Sequence, residues 1–318
     1  MRTPKYWSKK CFVATVLRPF GEVYALVTKL RNKYQKSKHV NIPVVCVGNL
    51  TAGGSGKTPV ALSIMYMMKK KYHNPMFVTR GYGGKLNNVI VDRQENTAEQ
   101  VGDEPLLLSR LAPTVVNSNR YKAAVRAFEE GADAIVMDDG FQNPTLVKDL
   151  SFLVFDGSFG IGNELCVPAG PMREKFDNGL KRADAVIILG EDKQNLQMMI
   201  SGLPVFHGKV VPLSKPDFNR NVIAFAGIGH PQKFYDTLLA MGADLIATRD
   251  FSDHHKYTEE ELQSLIDFAK DTSSDLYTTT KDYVKIPYHM RAEFKVLEIG
   301  IKWAEESKLF EFICSRLF

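Results

Sequence analysis

Apolar residues recur along this chain with two periods, and the change between them divides it. From Trp7 onward, Phe12, Val13, Val16, Leu17, Val23, Tyr24, Val27, Leu30 and Tyr34 fall at three- and four-residue intervals, with Lys and Arg between them. That is the spacing of an amphipathic helix. Proline is at home in a first helical turn, so a second helix is predicted to begin at Pro19. The longest uncharged stretch of this arm, Cys11 to Leu17, ends at Arg18. It is far shorter than the ~20 apolar residues that span a bilayer, and no secretory cleavage site accompanies it.

Beyond His39 the period shortens. Strand-like runs at 43–47, 76–79, 114–116, 134–137, 152–155 and 185–189 alternate with helical stretches at 59–72, 105–110 and 119–130. Such alternation predicts a mostly parallel sheet with helices on both faces. A second alternation follows: strand 222–226, helix 231–241, strand 245–248, and helix 259–270 behind the capping box Thr258/Glu261. Two further strand-like segments, 209–212 and 294–299, are expected to pair as a connection, with the last helix free to return to the first sheet. The expected organisation is an arm at 1–38, a first α/β unit at 39–212, and a smaller α/β unit at 213–318.

Composition adds little until it is divided. Hydrophobic residues at 44% and charged residues at 24% exclude collagen-like, disordered and multi-span membrane chains. The four cysteines form no CxxC pair, so neither a disulfide framework nor a zinc site is indicated, and a reducing compartment is expected. Net charge is +5, but residues 1–38 hold ten Lys and Arg against the single acid Glu22, a net +9. The remaining 31 basic and 35 acidic residues leave a body of net −4. A cationic arm on an acidic body argues against a nucleic-acid protein. Two readings of the arm stand: a helix lying in an anionic membrane interface, or one packed on its own body with a solvated basic face.

The strand Val44-Val45-Cys46-Val47 runs into Gly48-Asn49-Leu50-Thr51-Ala52-Gly53-Gly54-Ser55-Gly56-Lys57-Thr58 and then a helix. Strand, Gly-rich loop, helix is the order of a phosphate-binding P-loop, and the fold class predicted is P-loop NTPase-like. Backbone N–H groups of Thr51, Ala52, Gly53, Gly54, Ser55 and Gly56 would face phosphate oxygens, Lys57 would reach the β- and γ-phosphates, and Thr58 would hold Mg²⁺. Thr51 stands where the usual first glycine of GxxxxGK[ST] would be. Asp138, at the end of the hydrophobic strand 134–137, suits a second Mg²⁺ partner, although an Asp there also serves as a turn former.

The loop, together with Thr79-Arg80-Gly81-Tyr82-Gly83, Val101-Gly102-Asp103-Glu104-Pro105, Asp138-Asp139-Gly140-Phe141-Gln142, Pro168-Ala169-Gly170-Pro171-Met172-Arg173-Glu174, Phe225-Ala226-Gly227-Ile228-Gly229 and Phe251-Ser252-Asp253-His254-His255, resembles the tetraacyldisaccharide 4'-kinase family of lipid A biosynthesis. The resemblance spans about residues 40–285 and makes 39–212 a P-loop kinase domain. It implies transfer of the ATP γ-phosphate to the 4'-hydroxyl of an acylated glucosamine disaccharide 1-phosphate, at the cytoplasmic face of the inner membrane of a Gram-negative bacterium. The protein would be peripheral, held by its arm, with no obligate protein partner. The family's proposed base is the aspartate matching Asp103, paired with the histidine matching His254.

From the residues alone, Asp103 is equally a helix cap and His254 a surface turn. Glu104 would support Mg²⁺ or complement a helix terminus. Arg80, Tyr82, Asn117, Arg120, Asp139 and Gln142 follow strand ends, where α/β proteins bind substrates, and are candidates for the sugar and its 1-phosphate. Arg173 has the same standing. The rival reading is a P-loop GTPase or metallochaperone switch, but no NKxD guanine signature occurs and Thr280-Lys281-Asp282 is only a faint echo of one.

Overall fold

A computed structural model describes residues 4–317. The arm is one helix, α1 (Phe12–Tyr34), preceded by a single 3-10 turn and continuous through Pro19. The expected second start at Pro19 is therefore absent. Pro19 lacks the N–H that would bond the Thr15 carbonyl, and the helix continues without that bond.

The body then runs β1 (Val44–Gly48), α2 (Lys57–Met68), β2 (Pro75–Thr79), β3 (Val89–Ile90), α3 (Ala98–Val101), α4 (Asp103–Leu108), β4 (Thr114–Val116), α5 (Arg120–Glu129), β5 (Ala134–Asp138), β6 (Leu150–Asp156), α6 (Phe176–Leu180), β7 (Ala185–Leu189), α7 (Leu196–Met199) and β8 (Val205–Pro212). The second series is β9 (Val222–Ala226), α8 (Pro231–Ala240), β10 (Leu245–Asp250), α9 (Glu259–Asp271), β11 (Asp275–Thr279), α10 (Thr280–Tyr283), β12 (Lys295–Leu297), β13 (Ile299–Trp303) and α11 (Glu306–Leu317).

Nine strands form one sheet in the order β13-β8-β7-β6-β1-β5-β2-β4-β3, parallel except at its two antiparallel edges. The central strands are buried on both faces, which is why they read as unbroken apolar runs rather than alternating ones. One face packs around Phe141, Phe155 and the alanines of α5; the other packs around α2 and α11 through Ile64, Met65, Leu309 and Ile313. β1 lies between β5 and β6; the chain leaves β1 toward β2 on one side, and leaves its neighbour β6 toward β7 on the other. That switch point opens a crevice at the carboxyl ends of the strands.

A four-stranded parallel sheet, β10-β9-β11-β12, carries α8 and α9 on separate cores. The expected two-stranded connection exists in altered form. Residues 295–297 belong to the small sheet, whereas β13 pairs with β8 from Pro212↔Ile299 to Gly208↔Trp303 and extends the large one. The segment expected as a single smaller unit, 213–318, is thus shared: 299–317 is built into the large sheet, and α11 seals its face.

Helix α1 is unusual in what it hides. Its buried residues are the small ones, Ala14, Gly21 and Ala25. A β-carbon on Gly21 would lie 2.6 Å from the Cys166 carbonyl oxygen. Phe12, Val16, Phe20, Val23, Leu26 and Val27 face outward and are exposed. No helix among the described residues is long and apolar enough to cross a membrane.

Candidate active site

The phosphate loop begins where β1 ends. Asn49, fully buried, donates from Nδ2 to the Thr51 carbonyl at 2.6 Å and to Ser55 Oγ at 2.8 Å, tying the two ends of the loop together. Gly53 and Gly56 sit at φ 119° and 81°. Gly56 is the N-cap of α2, and its left-handed backbone turns the chain into the helix two residues earlier than the sequence suggested. Thr51, Ala52, Gly53, Gly54, Ser55 and Gly56 form the turn that carries Lys57 and Thr58 into the first turn of α2. A helix N-terminus behind exposed glycines is an anion-binding arrangement.

Acidic groups converge on that turn from β5. Thr58 Oγ1 donates to Asp138 Oδ2 at 3.0 Å, while Asp138 Oδ1 is buried without a hydrogen-bond partner. Burial, with the charges of Glu104 and Asp139, pushes the Asp138 carboxyl up to about 7. A buried carboxylate with an idle oxygen beside a threonine hydroxyl fits a hard cation. Among the described residues no group of three His, Cys, Asp or Glu side chains stands ready as a metal cage. A Mg²⁺ site completed by phosphate and water oxygens needs none.

Asp139, at φ 49°, accepts from Arg173 at 2.7 Å and lies 3.7 Å from Lys57 Nζ. Burial opposes its ionisation, but Lys57 and Arg173 hold its carboxyl below the usual range. It therefore orients the loop lysine as well as facing the crevice.

The second centre joins the two sheets. Asp103 opens α4, buried, with its Oδ1 accepting the Glu104 N–H at 2.9 Å. His254 arrives from the loop after β10, and its Nδ1 lies 2.9 Å from Asp103 Oδ2 and 3.1 Å from Oδ1. His254 sits at φ 58°, a conformation that costs a non-glycine residue and recurs at functional positions. Burial alone would raise the Asp103 carboxyl, but the His254 hydrogen bond and the Lys281 charge hold it below its ordinary value. The same bond raises the imidazole. His255 is turned away and bonds Glu261 at 2.9 Å. The charge of Glu104, next to Asp103 in the chain, is felt at Asp138 beside the phosphate loop.

The loop 80–84 packs on this helix start. Gly102, at φ 95°, would bring a β-carbon within 2.7 Å of the Tyr82 carbonyl oxygen, so close approach and backbone conformation both demand glycine. Tyr82 is exposed, and its ring lies 5.4 Å from that of His254. Arg80 is exposed nearby. Asn117 and Arg120 are instead enclosed in the wall. The Asn117 side chain bonds Asn88 and the Asn119 N–H, and Arg120 donates to the Asn117 carbonyl oxygen, leaving its Nε without a partner. Burial brings the Arg120 guanidinium down to about 10. Gln142 donates to the Asn49 carbonyl oxygen at 2.7 Å and to Glu174 at 3.2 Å, bracing the loop.

A family model for tetraacyldisaccharide-1-P 4'-kinase matches residues 13–317. The chain belongs to this family. It is 44% identical to the tetraacyldisaccharide 4'-kinase of Rhodospirillum rubrum, over all of this chain and 98% of that one, and 40% identical to the same kinase of Gluconobacter oxydans, over 96% and 94%. Its fold superposes with a TM-score of 0.81 on the crystal structure of LpxK from Aquifex aeolicus in complex with ATP. That likeness runs at 27% identity and covers 96% of this chain and all of the other. Membership in the tetraacyldisaccharide 4'-kinase family displaces the GTPase-switch reading.

Sequence reasoning passed over several neighbours that complete the site. Asn49 and Glu174 were visible only as members of longer motifs. Lys281, dismissed as part of a weak guanine signature, reaches into the centre with Nζ 3.3 Å from His254 Nε2. Its chain position, 178 residues after Asp103, offers no local pattern by which to find it.

Proposed function

We propose that this kinase carries the γ-phosphoryl group of ATP to the 4'-hydroxyl of a tetraacylated glucosamine disaccharide 1-phosphate, with Asp103 taking the hydroxyl proton. The observation that supports it most is the Asp103–His254 contact beside a phosphate loop, made by two different sheets. Phosphoryl transfer is chiefly positioning and charge neutralisation. The loop amides and Lys57 hold the β- and γ-phosphates, and Asp139 with Arg173 keeps Lys57 extended toward them. Thr58 and Asp138, with Glu104 close by, would hold Mg²⁺, which neutralises charge on the phosphate oxygens. The acceptor oxygen forms its bond to γ-phosphorus as the bridging P–O bond breaks and its electrons leave on ADP. The proton passes to Asp103, whose carboxylate is kept anionic and oriented by the His254 N–H. Arg80 and Tyr82, exposed at the mouth, are the side chains placed to meet the disaccharide, and Arg120 lies behind them.

The acceptor's acyl chains do not leave a bilayer cheaply, so the kinase must meet it at the interface. What supports this is α1, which turns its large apolar side chains outward between Lys and Arg and buries its small ones. An exposed apolar row of that length marks an interaction surface, and its flanking cations favour an anionic one. We place the protein peripherally on the cytoplasmic face of the inner membrane.

The test follows label from γ-labelled ATP to a tetraacyl disaccharide 1-phosphate beside its deacylated counterpart, in detergent with Mg²⁺. The acylated acceptor should be labelled, and Asp103→Ala should lose about 10²–10⁴ of turnover while still binding ATP, the range of a lost general base. Turnover of Asp103→Ala equal to the parent's would show that the proton goes elsewhere.

A further inference from the structure

We propose that Lys281 is a positioning residue for this reaction: it donates to Nε2 of His254, fixing the imidazole as the tautomer whose remaining N–H, on Nδ1, points at Asp103. The inference rests on Asp103 being the base. A neutral imidazole has one donor and one acceptor nitrogen, and either nitrogen can take either part. Here Nδ1 faces a carboxylate at 2.9 Å and Nε2 faces an ammonium at 3.3 Å. An ammonium only donates, so Nε2 must accept and the hydrogen must sit on Nδ1. The opposite tautomer would aim an N–H at a cation and a lone pair at an anion. A doubly protonated ring would also turn an N–H toward the ammonium.

The ammonium is held for this use. Its only hydrogen bond among the described residues is to His254; Asp253, Glu104 and Asp103 surround it at 3.6, 3.8 and 3.9 Å, balancing its charge beyond hydrogen-bond reach. Burial disfavours that charge, but Asp103, Glu104, Asp253 and Asp282 together hold it above the usual lysine value. The backbone beneath it is fastened by Asp282, whose carboxylate accepts from the Gly227 N–H, the Thr279 hydroxyl and the Tyr257 hydroxyl and pairs with Lys285. The ring also faces Asp253 Oδ1 at 3.8 Å from Nε2. Of the groups around His254, Asp103 and Asp253 favour its protonation and Lys281 opposes it. Removing Lys281 therefore lets the ring take a second proton more easily.

The experiment compares the parent, Lys281→Met and Lys281→Arg by kcat and KM from about pH 5.5 to 9. Alongside, ¹⁵N spectra of the His254 ring are recorded, assigned with His254→Gln. Lys281→Met should lose up to about tenfold in kcat at the acidic end of the range with both KM values within about twofold. Its acidic limb should move up by about one pH unit, so the deficit shrinks toward pH 8.5. Lys281→Arg, which keeps a donor, should recover most of the activity and the parent limb. The parent ring should show its hydrogen on Nδ1.

A parent ring protonated on Nε2 overturns the proposal without recourse to any variant, which covers the case of a Met variant that fails to fold. So does a Met variant whose loss is the same at every pH with the ring signals unmoved. Failure of the base reading is separate: it would appear as full turnover in Asp103→Ala, whatever tautomer His254 holds.

Discussion

Replacing Phe12 and Phe20 together by serine removes the two largest outward side chains of α1. They are 83% and 64% exposed, so between them they offer roughly one and a half side chains of apolar surface to whatever α1 lies on. Full burial of a phenylalanine contributes about 1.5–3 kcal/mol, and the pair should therefore account for roughly 2–4 kcal/mol of interfacial binding. That is about a 30- to 1,000-fold fall in the partition constant. The fold itself should notice little, because neither side chain is buried, and exposed substitutions of this kind stay within about 0.5 kcal/mol. Co-sedimentation with anionic phospholipid vesicles at about 150 mM salt, where charge alone is well screened, reads the first quantity. Thermal melting reads the second, and transfer to detergent-dispersed acceptor shows that the chemistry is intact. Partition equal to the parent's would refute the argument, since the outward row would then have no role in binding. A melting point lowered in step with partition would refute it differently, by showing that the row is part of the core.

Two other perturbations test the site. The Asp138 carboxyl is raised from 3.8 to about 7, so ionising it costs the folded state; that stability is complete below the unfolded value and is lost as pH rises toward 7. Asp138→Asn should therefore raise the melting temperature by roughly 3–6 °C at pH 8 and leave it unchanged at pH 4, while Mg²⁺-dependent turnover collapses; a lower melting point at pH 8 would contradict the sign. Gly56→Ala forces a side chain into φ 81° with its β-carbon 2.4 Å from Leu189 Cδ1. The leucine end can move and the backbone cannot, so about 1–2 kcal/mol of stability and a higher KM for ATP are expected; parent values of both would argue against the strained cap.

Much of this was legible in the chain. The buried strands announced themselves because a strand covered on both faces needs an unbroken apolar run, as in Val44-Val45-Cys46-Val47 and Ala185-Val186-Ile187-Ile188-Leu189. The loop glycines and Lys57 were readable because phosphate chemistry forces residue types into adjacent positions. β3 is two residues long and edge-paired, too short to carry a period. The transfer of 299–303 to the large sheet depends on which strand it finds, a tertiary fact that β-propensity does not encode. Asn117 and Arg120 followed a strand end, as surface groups would. Their enclosure comes from Asn88, contributed by a separate segment, and from the turn that Asn117 makes with the helix cap Asn119. Lys281 illustrates the general limit: a side chain brought in from a second sheet leaves no trace at the spacing of the first.

The antiparallel pair β8 and β13 carries the chain out to the small sheet and back again side by side. Two adjoining strands behave as a strap: they flex across their width but resist shear and twist along their length. Any motion of the small sheet would thereby be held to something near a single swing, with little freedom to slide or rotate. His254 and Lys281 both belong to the small sheet, whereas Asp103 and Lys57 belong to the large one. The imidazole and the ammonium would then reach the carboxylate in one stroke, already in register with each other, so that one mechanical coordinate sets two electrostatic contacts.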